Sequence, residues 1–382
     1  MSENQKLKLP KPDFNSSITE LIMQLEVLKT EKVYLDVNPI LFFQLNKLFH
    51  SIESLQSARI EGNRTTLSDY FKAKLDAKPV KNENIDEIVN IEKAIEYINK
   101  LFDEDKNIHI SNFIVKELHS ILTNELTSEG SKTPGNYRKT EVIIQNAKHK
   151  PPMAIKVQDY MDELIEWINS DTKIYEKPLK VAIAHHRFTW IHPFDNGNGR
   201  MSRLITYFLL RQYGYRMSYL MNLSAIFCID RQKYFDMLES ADIDGEKGLL
   251  NWCEYVLNGL NIEITKMKKL LDKKYFIDSI IEPAFQASYS RNLISDDELK
   301  ILNKTLNTKD NLIMLKDVKF LFKDKTDRQI NIILNRMINN KLLQKPEAKS
   351  KKYILNLYND IFTYELIKIL EKEHFIVIKS ND

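Results

Sequence analysis

The chain uses glycine sparingly. Nine glycines serve 382 residues, and two of them, Gly197 and Gly199, stand one residue apart in the run His192-Pro193-Phe194-Asp195-Asn196-Gly197-Asn198-Gly199-Arg200. Glycine in such a chain goes where no side chain fits. Alternating Gly-Asn-Gly lets successive backbone N–H groups turn toward one concavity, a nest for an anion. Residues 178–190 upstream and 200–210 downstream both read as helix. The fold must therefore present helix, nest and helix in succession, with the nest at a helix N-terminus where orphan N–H groups and the macrodipole attract phosphate. Arg200 and Arg203 lie three apart and share a side of the first turn. Two guanidiniums beside an N–H nest suit a polyphosphate. His192 stands just upstream, and imidazole is the side chain best matched to moving a proton near neutral pH. A His before Pro, a Gly-x-Gly and two helical arginines each have an ordinary structural reading alone. Within one contiguous stretch those readings lose ground.

From His192 to Arg203 the chain resembles the signature of the Fic family, His-x-Phe-x-(Asp/Glu)-Gly-Asn-Gly-Arg-x-x-Arg, with one departure. The resemblance implies an all-α fold with a small β-hairpin flap. It also implies nucleotidyltransferase chemistry: AMP passes from ATP to a Tyr, Thr or Ser hydroxyl of a protein, and diphosphate is released. His192 becomes the general base and Phe194 a buried anchor of the loop. Gly197, Asn198, Gly199, Arg200, Met201, Ser202 and Arg203 are expected around the ATP phosphates. Ile144 and Gln145 of the flap, Tyr234 and Asp242 are expected near the rest of the nucleotide. Mg²⁺ is expected to bridge phosphate oxygens. The departure falls at the metal position, where the family has Asp or Glu and this chain has Asn196, with Asp195 one residue earlier. An amide oxygen brings no charge, so Mg²⁺ is expected to be held less tightly.

Upstream, Ser57-Ala58-Arg59-Ile60-Glu61-Gly62 is similar to the inhibitory motif of many Fic proteins. Residues 200–211 contain no Asp or Glu, so Arg203 has no acidic partner in its own helix and is expected to draw in Glu61. Autoinhibition by Glu61, with Ser57, follows. A rival reading has Glu61 position water to remove AMP. Another makes the protein a DNA-binding regulator whose core only senses nucleotide.

Apolar residues make up 43% of the chain and charged residues 29%, with a net charge of +3, as in an ordinary soluble globular protein. Cys228 and Cys253 are read as buried thiols of a reducing compartment, and no signal segment or spanning helix is visible, so the cytoplasm is expected with no membrane partner. Three regions are expected: residues 1–105, helical and bearing the inhibitory segment; 106–275, the catalytic core; and 285–382. Residues 140–150 have strand character ending at Pro151-Pro152 and read as a hairpin, by resemblance the flap that clamps a target protein's main chain.

In the last region, helices capped by Ser295 and Thr326 precede strand-like segments at 342–346 and 352–357, a winged helix-turn-helix pattern. Residues 319–352 hold ten Lys or Arg against three Asp or Glu. That excess suits nucleic acid. A protein-docking or dimerising wing with a solvated basic face stands slightly ahead, because no aromatic or Asn/Gln-rich base-reading surface stands out. A homodimer is left open.

Overall fold

The computed structural model describes residues 7–30, 38–75, 81–144, 147–215, 222–308, 310–347 and 349–376. Its helices, in chain order, are α1 (Ser17–Thr30), α2 (Pro39–Ile60), α3 (Leu67–Leu75), α4 (Glu83–Glu104), α5 (Asn112–Leu122), α6 (Val157–Asn169), α7 (Lys177–Ile191), α8 (Asn198–Gln212), α9 (Leu223–Cys228), α10 (Arg231–Ile243), α11 (Gly245–Leu271) and α12 (Lys273–Tyr275). A π-helical turn follows at Phe276–Ile281, then α13 (Glu282–Ser290), α14 (Asp296–Leu306), β1 (Leu312–Met314), α15 (Leu315–Lys319), α16 (Asp327–Asn339), β2 (Leu343–Gln344), β3 (Lys352–Leu355) and α17 (Phe362–Lys372). The expected predominance of helix is found. No helix among the described residues is long and apolar enough to cross a membrane.

The chain divides into two compact units. One comprises Met1–Glu31, His50–Thr65 and Val80–Thr265; the other comprises Lys32–Phe49, Thr66–Pro79 and Lys266–Asp382.

The first unit is organised on α7 and α8. Pro178 through Phe188, with Trp190 and Ile191, are all buried, so α7 is enclosed on every side rather than amphipathic. Trp252 of α11 is fully buried and donates its indole N–H to the Ala182 carbonyl at 2.7 Å. The α2 helix runs to Ile60, so Ser57 lies inside it and Glu61 one residue past it.

The expected hairpin at 140–150 is corrected. No strand occurs among its described residues, and Gln145 lies outside them. The backbone bonds there are turn-like or go elsewhere: Ala147 N–H reaches the Ile144 carbonyl at 3.4 Å, and the Thr140 carbonyl accepts from Arg138 at 3.2 Å. A ladder needs a facing strand, and none pairs with this segment among the described residues.

In the second unit β3 lies between β1 and β2, antiparallel to both, with Ile313 opposite Tyr353 and Leu343 opposite Leu355. The second and third strands fall within the segments that read as strand; β1, at three residues, is too short for alternation to reveal.

Candidate active site

The loop between α7 and α8 is fixed by its own residues. His192 ends α7 in the left-handed region (φ 51°), and Gly197 opens α8 at φ 77°. Asn198 closes the loop: its Oδ1 accepts from the Phe194 N–H and its Nδ2 donates to the Phe194 carbonyl, both at 2.9 Å. The Asn198 side chain is therefore spent on the loop, and only its backbone is left to face an anion. Phe194 is fully buried and stacks on His119 with centroids 3.6 Å apart. The Gly135 N–H donates to His119 Nδ1 at 3.0 Å, so Nε2 carries the proton toward the Asn196 carbonyl at 3.2 Å. Burial pushes His119 down to about 4, which keeps that tautomer neutral.

Arg138 carries no motif in the sequence. It is buried, and its guanidinium reaches the carbonyls of Thr140, Pro152, Ile191 and His192, the last at 2.8 Å. Its own N–H donates to the Pro193 carbonyl at 2.8 Å. Arg138 thus holds the end of α7. Nothing in the sequence pattern reveals this, because its partners are carbonyls brought in by the fold.

His192 is half-buried, and its Nδ1 lies 3.3 Å from the Thr189 carbonyl. That contact places the proton on Nδ1, and Nε2 has no hydrogen-bond partner among the described residues. Burial, partly opposed by the Thr189 carbonyl and reinforced by Arg138, lowers its pKa to about 4. At neutral pH the imidazole is uncharged and able to accept a proton.

The first N–H groups of α8 have no acceptor within the helix. Met201 is already past them: its N–H donates to the Gly197 carbonyl at 2.9 Å and its side chain is buried. Ser202 is buried too, its Oγ bound to the Gly199 carbonyl at 2.7 Å. The two residues expected near phosphate thus support the helix from inside.

Arg203 is buried and held by α2. Its Nε donates to Ser57 Oγ at 2.8 Å, and its Nη2 to the Ser57 carbonyl at 3.0 Å and Glu61 Oε1 at 2.7 Å. Its Nη1 has no hydrogen-bond partner among the described residues. A Cβ at position 199 would stand 2.3 Å from Glu61 Oε1, so the carboxylate lies against the start of α8 only because residue 199 is glycine. Burial alone would raise the Glu61 pKa; Arg203 and Arg200 outweigh it and hold the carboxyl below its ordinary value. Arg200, expected to share this role, is bound elsewhere: Nη1 to Glu87 at 2.7 Å and Nη2 to Glu129 at 3.1 Å. Those two carboxylates, from α4 and the 123–135 connection, were not legible as partners.

Asp195 accepts from Ser131 Oγ and, at 2.9 Å, from the Lys132 N–H. Asn196 Oδ1 accepts from the Gly197 N–H at 2.7 Å, and its Nδ2 reaches the Gly130 carbonyl at 3.2 Å. Both side chains fasten the loop. Neither fits a Mg²⁺ ligand in this arrangement, and no three-residue His/Cys/Asp/Glu cluster suited to a metal occurs among the described residues.

Tyr234 and Asp242 also face inward. The Tyr234 ring is buried and its hydroxyl lies 2.9 Å from His185 Nε2. Asp242 receives His186 Nε2 at 2.8 Å and lies 3.7 Å from His149 Nδ1. Ile144 is half-buried in the 140–150 segment.

Residues 109–210, which include α5 and the whole loop, match the Fic/DOC family. This is a Fic domain. Around it, the chain is 30% identical over 205 residues to "Protein adenylyltransferase Fic" of Aedes aegypti, and 32% identical over 164 residues to that of Drosophila grimshawi. These stretches cover 52% and 42% of this chain, but only 37% and 32% of the relatives. A Fic family protein from Desulfovibrio desulfuricans G20 shares the fold over 91% of this chain and 98% of its own, with a TM-score of 0.56 at 19% identity. A Fic-domain signalling protein from Bacteroides thetaiotaomicron does so over 67% of this chain and 97% of its own, with a TM-score of 0.53 at 22% identity. The Fic domain thus supplies His192, the nest and Arg203, while Ser57 and Glu61 come from outside its matched span.

Proposed function

We propose that this protein transfers AMP from ATP to a Tyr, Thr or Ser hydroxyl of a target protein, itself included, and that Glu61 holds the reaction off at rest. The acceptor oxygen forms a bond to the α-phosphorus. The bond from that phosphorus to the bridging oxygen breaks, pyrophosphate leaves with the electron pair, and the hydroxyl proton passes to His192 Nε2. The N–H groups opening α8 and the Arg203 guanidinium, once Glu61 releases its Nη2, receive phosphate oxygens. Divalent metal is given no step, since Asp195 and Asn196 are spent on the loop.

The observation that carries the reading is the constellation in the α7–α8 loop: a neutral imidazole with its Nε2 open, just upstream of a helix N-terminus that ends beside a buried arginine. The adenylyltransferase relatives add to it. A target would lie along 140–150, where Ile143 is 91% exposed, and Met153 and Ile155 just beyond it also face solvent. An extended target chain could add its backbone there. In the second unit, α14 to β3 follow the order of a winged helix.

Labelling with [α-³²P]ATP and [γ-³²P]ATP in parallel tests the reaction. Only the α-label is expected on protein, with an AMP mass increment on a hydroxyl side chain. Label from the γ position, or from neither, would sink the proposal. Label that wild type removes and the Glu61→Gly variant keeps would turn the reading toward AMP removal.

A further inference from the structure

Sequence order conceals the face that α16 turns to solvent. Its buried stripe is Ile330, Ile333, Leu334 and Met337. The opposite, exposed face carries Arg328, Ile332, Asn335 and Asn339, flanked by Gln329 and Arg336. These recur at intervals of four, three and four, so they form one stripe along the helix. Arginine, glutamine and asparagine are the side chains that read purine edges in the major groove, and an exposed apolar side chain suits a thymine methyl. The linear sequence does not display this stripe, because its members are spaced by the helical turn.

Three further observations attach to this helix. First, α15, a turn and α16 form a helix-turn-helix, with α16 capped by Thr326 and Gln329 in a reciprocal capping box. Second, the β2–β3 hairpin follows it, and the connection between those strands is lysine-rich. Lys341, Lys345, Lys349, Lys351 and Lys352 are exposed and form no salt bridge among the described residues. Third, two carboxylates at α16 are paired, Asp327 with Lys319 at 2.8 Å and Glu298 with Arg336 at 3.0 Å, while Asp324 and Asp297 share Lys325 and Glu347 is outnumbered by the hairpin lysines. The unspent charge near this helix is therefore positive.

We infer that α16 is a recognition helix for duplex DNA, seated in the major groove with the β2–β3 hairpin on the flanking phosphates. A helix with side chains is about 10–12 Å across and the B-form major groove about 12 Å wide. The deep, narrow major groove of duplex RNA does not admit it. Phosphate contacts from the hairpin lysines give affinity; Arg328, Asn335 and Asn339 give sequence preference. No nucleotide chemistry is required, so binding is independent of AMP transfer.

The test uses the full chain without ATP and a fluorescein-labelled 30-base-pair mixed-sequence DNA duplex, read by anisotropy from 50 to 200 mM salt. Saturable binding at 50 mM salt is expected, weakening steeply with salt. The variant Lys345→Ala/Lys349→Ala/Lys351→Ala should bind at least about tenfold more weakly at 50 mM salt. Its salt slope should fall by about 0.9 for each phosphate that the removed lysines neutralise in wild type. Selection from a random duplex pool should enrich a sequence with wild type, and Arg328→Ala/Asn335→Ala should relax it while keeping most non-specific affinity. Circular dichroism and thermal melts confirm that the variants fold. No binding at 50 mM salt, an unaltered salt slope in the lysine variant, or equal binding to an RNA duplex would overturn the inference. The first of these results would favour a protein-docking wing.

Discussion

His192 gives the account its base, and its environment sets its titration. A pKa lowered to about 4 by burial means the deprotonated form persists well below the usual imidazole range. The base acts when deprotonated, so lowering its pKa extends activity toward acid. Labelling by an unlocked variant such as Glu61→Gly should be flat through pH 6.5 and fall only toward about 4. An inflection near 6.5 would mean the ring is solvated when it acts. His192→Ala should lose about 10²–10⁴-fold in rate while ATP binding, measured by calorimetry, is retained. The sequence disclosed His192, Phe194 and Arg203 because they sit in one contiguous motif. It did not disclose Arg138, whose bonds to carbonyls 140, 152, 191 and 192 exist only once the chain has folded. Arg138→Ala leaves buried carbonyls unsatisfied and should cost about 2–4 kcal/mol of stability, read from denaturant midpoints. A loss below about 0.5 kcal/mol would show that water replaces it.

At the scale of elements, α2 and α8 matter most. Glu53, Ser57 and Glu61 recur at four-residue spacing and so share a face of the α2 helical path. Two of them hold Arg203. The third, Glu53, accepts the Ser224 N–H at 2.7 Å and the Ser224 hydroxyl at 2.6 Å, anchoring α2 to the start of α9. The periodicity of α2 was legible, but its end was not, because Ser-x-x-x-Glu-Gly reads equally as helix or as the turn after one. Burial raises Glu53 to about 7, against hydrogen bonds from Ser224 and the charge of Arg203. A folded pKa above the unfolded value gives stability below the unfolded pKa, which is lost as pH rises through the folded one. Glu53→Gln, which carries no such charge, should gain on wild type as pH rises from 5 to 8 in thermal melts. A pH-independent difference would place the Glu53 pKa near its ordinary value. The 140–150 segment failed as a hairpin for a related reason: a short β-branched run such as Val142-Ile143-Ile144 specifies a strand only when a partner supplies the other half of the ladder.

Over the whole molecule, the chemistry proposed for AMP transfer and the surface proposed for DNA fall in different units. His192, Arg203, Ser57, Glu61 and Arg138 all belong to the first, and α16 with its hairpin to the second. The lysine variant of the β2–β3 connection should therefore label as wild type does. The central claim concerns Glu61, whose carboxylate takes up an arginine nitrogen that a nucleotide phosphate would need. Releasing a partly buried pair of this kind shifts an equilibrium by about 1–3 kcal/mol, or roughly five- to 150-fold. The most direct measurement is the rate of α-label incorporation at saturating ATP by wild type, Glu61→Gly and Glu61→Gly/His192→Ala. The single variant should exceed wild type within that range, and the double variant should incorporate almost nothing. Equal labelling by wild type and Glu61→Gly, or full labelling by the double variant, would contradict the account.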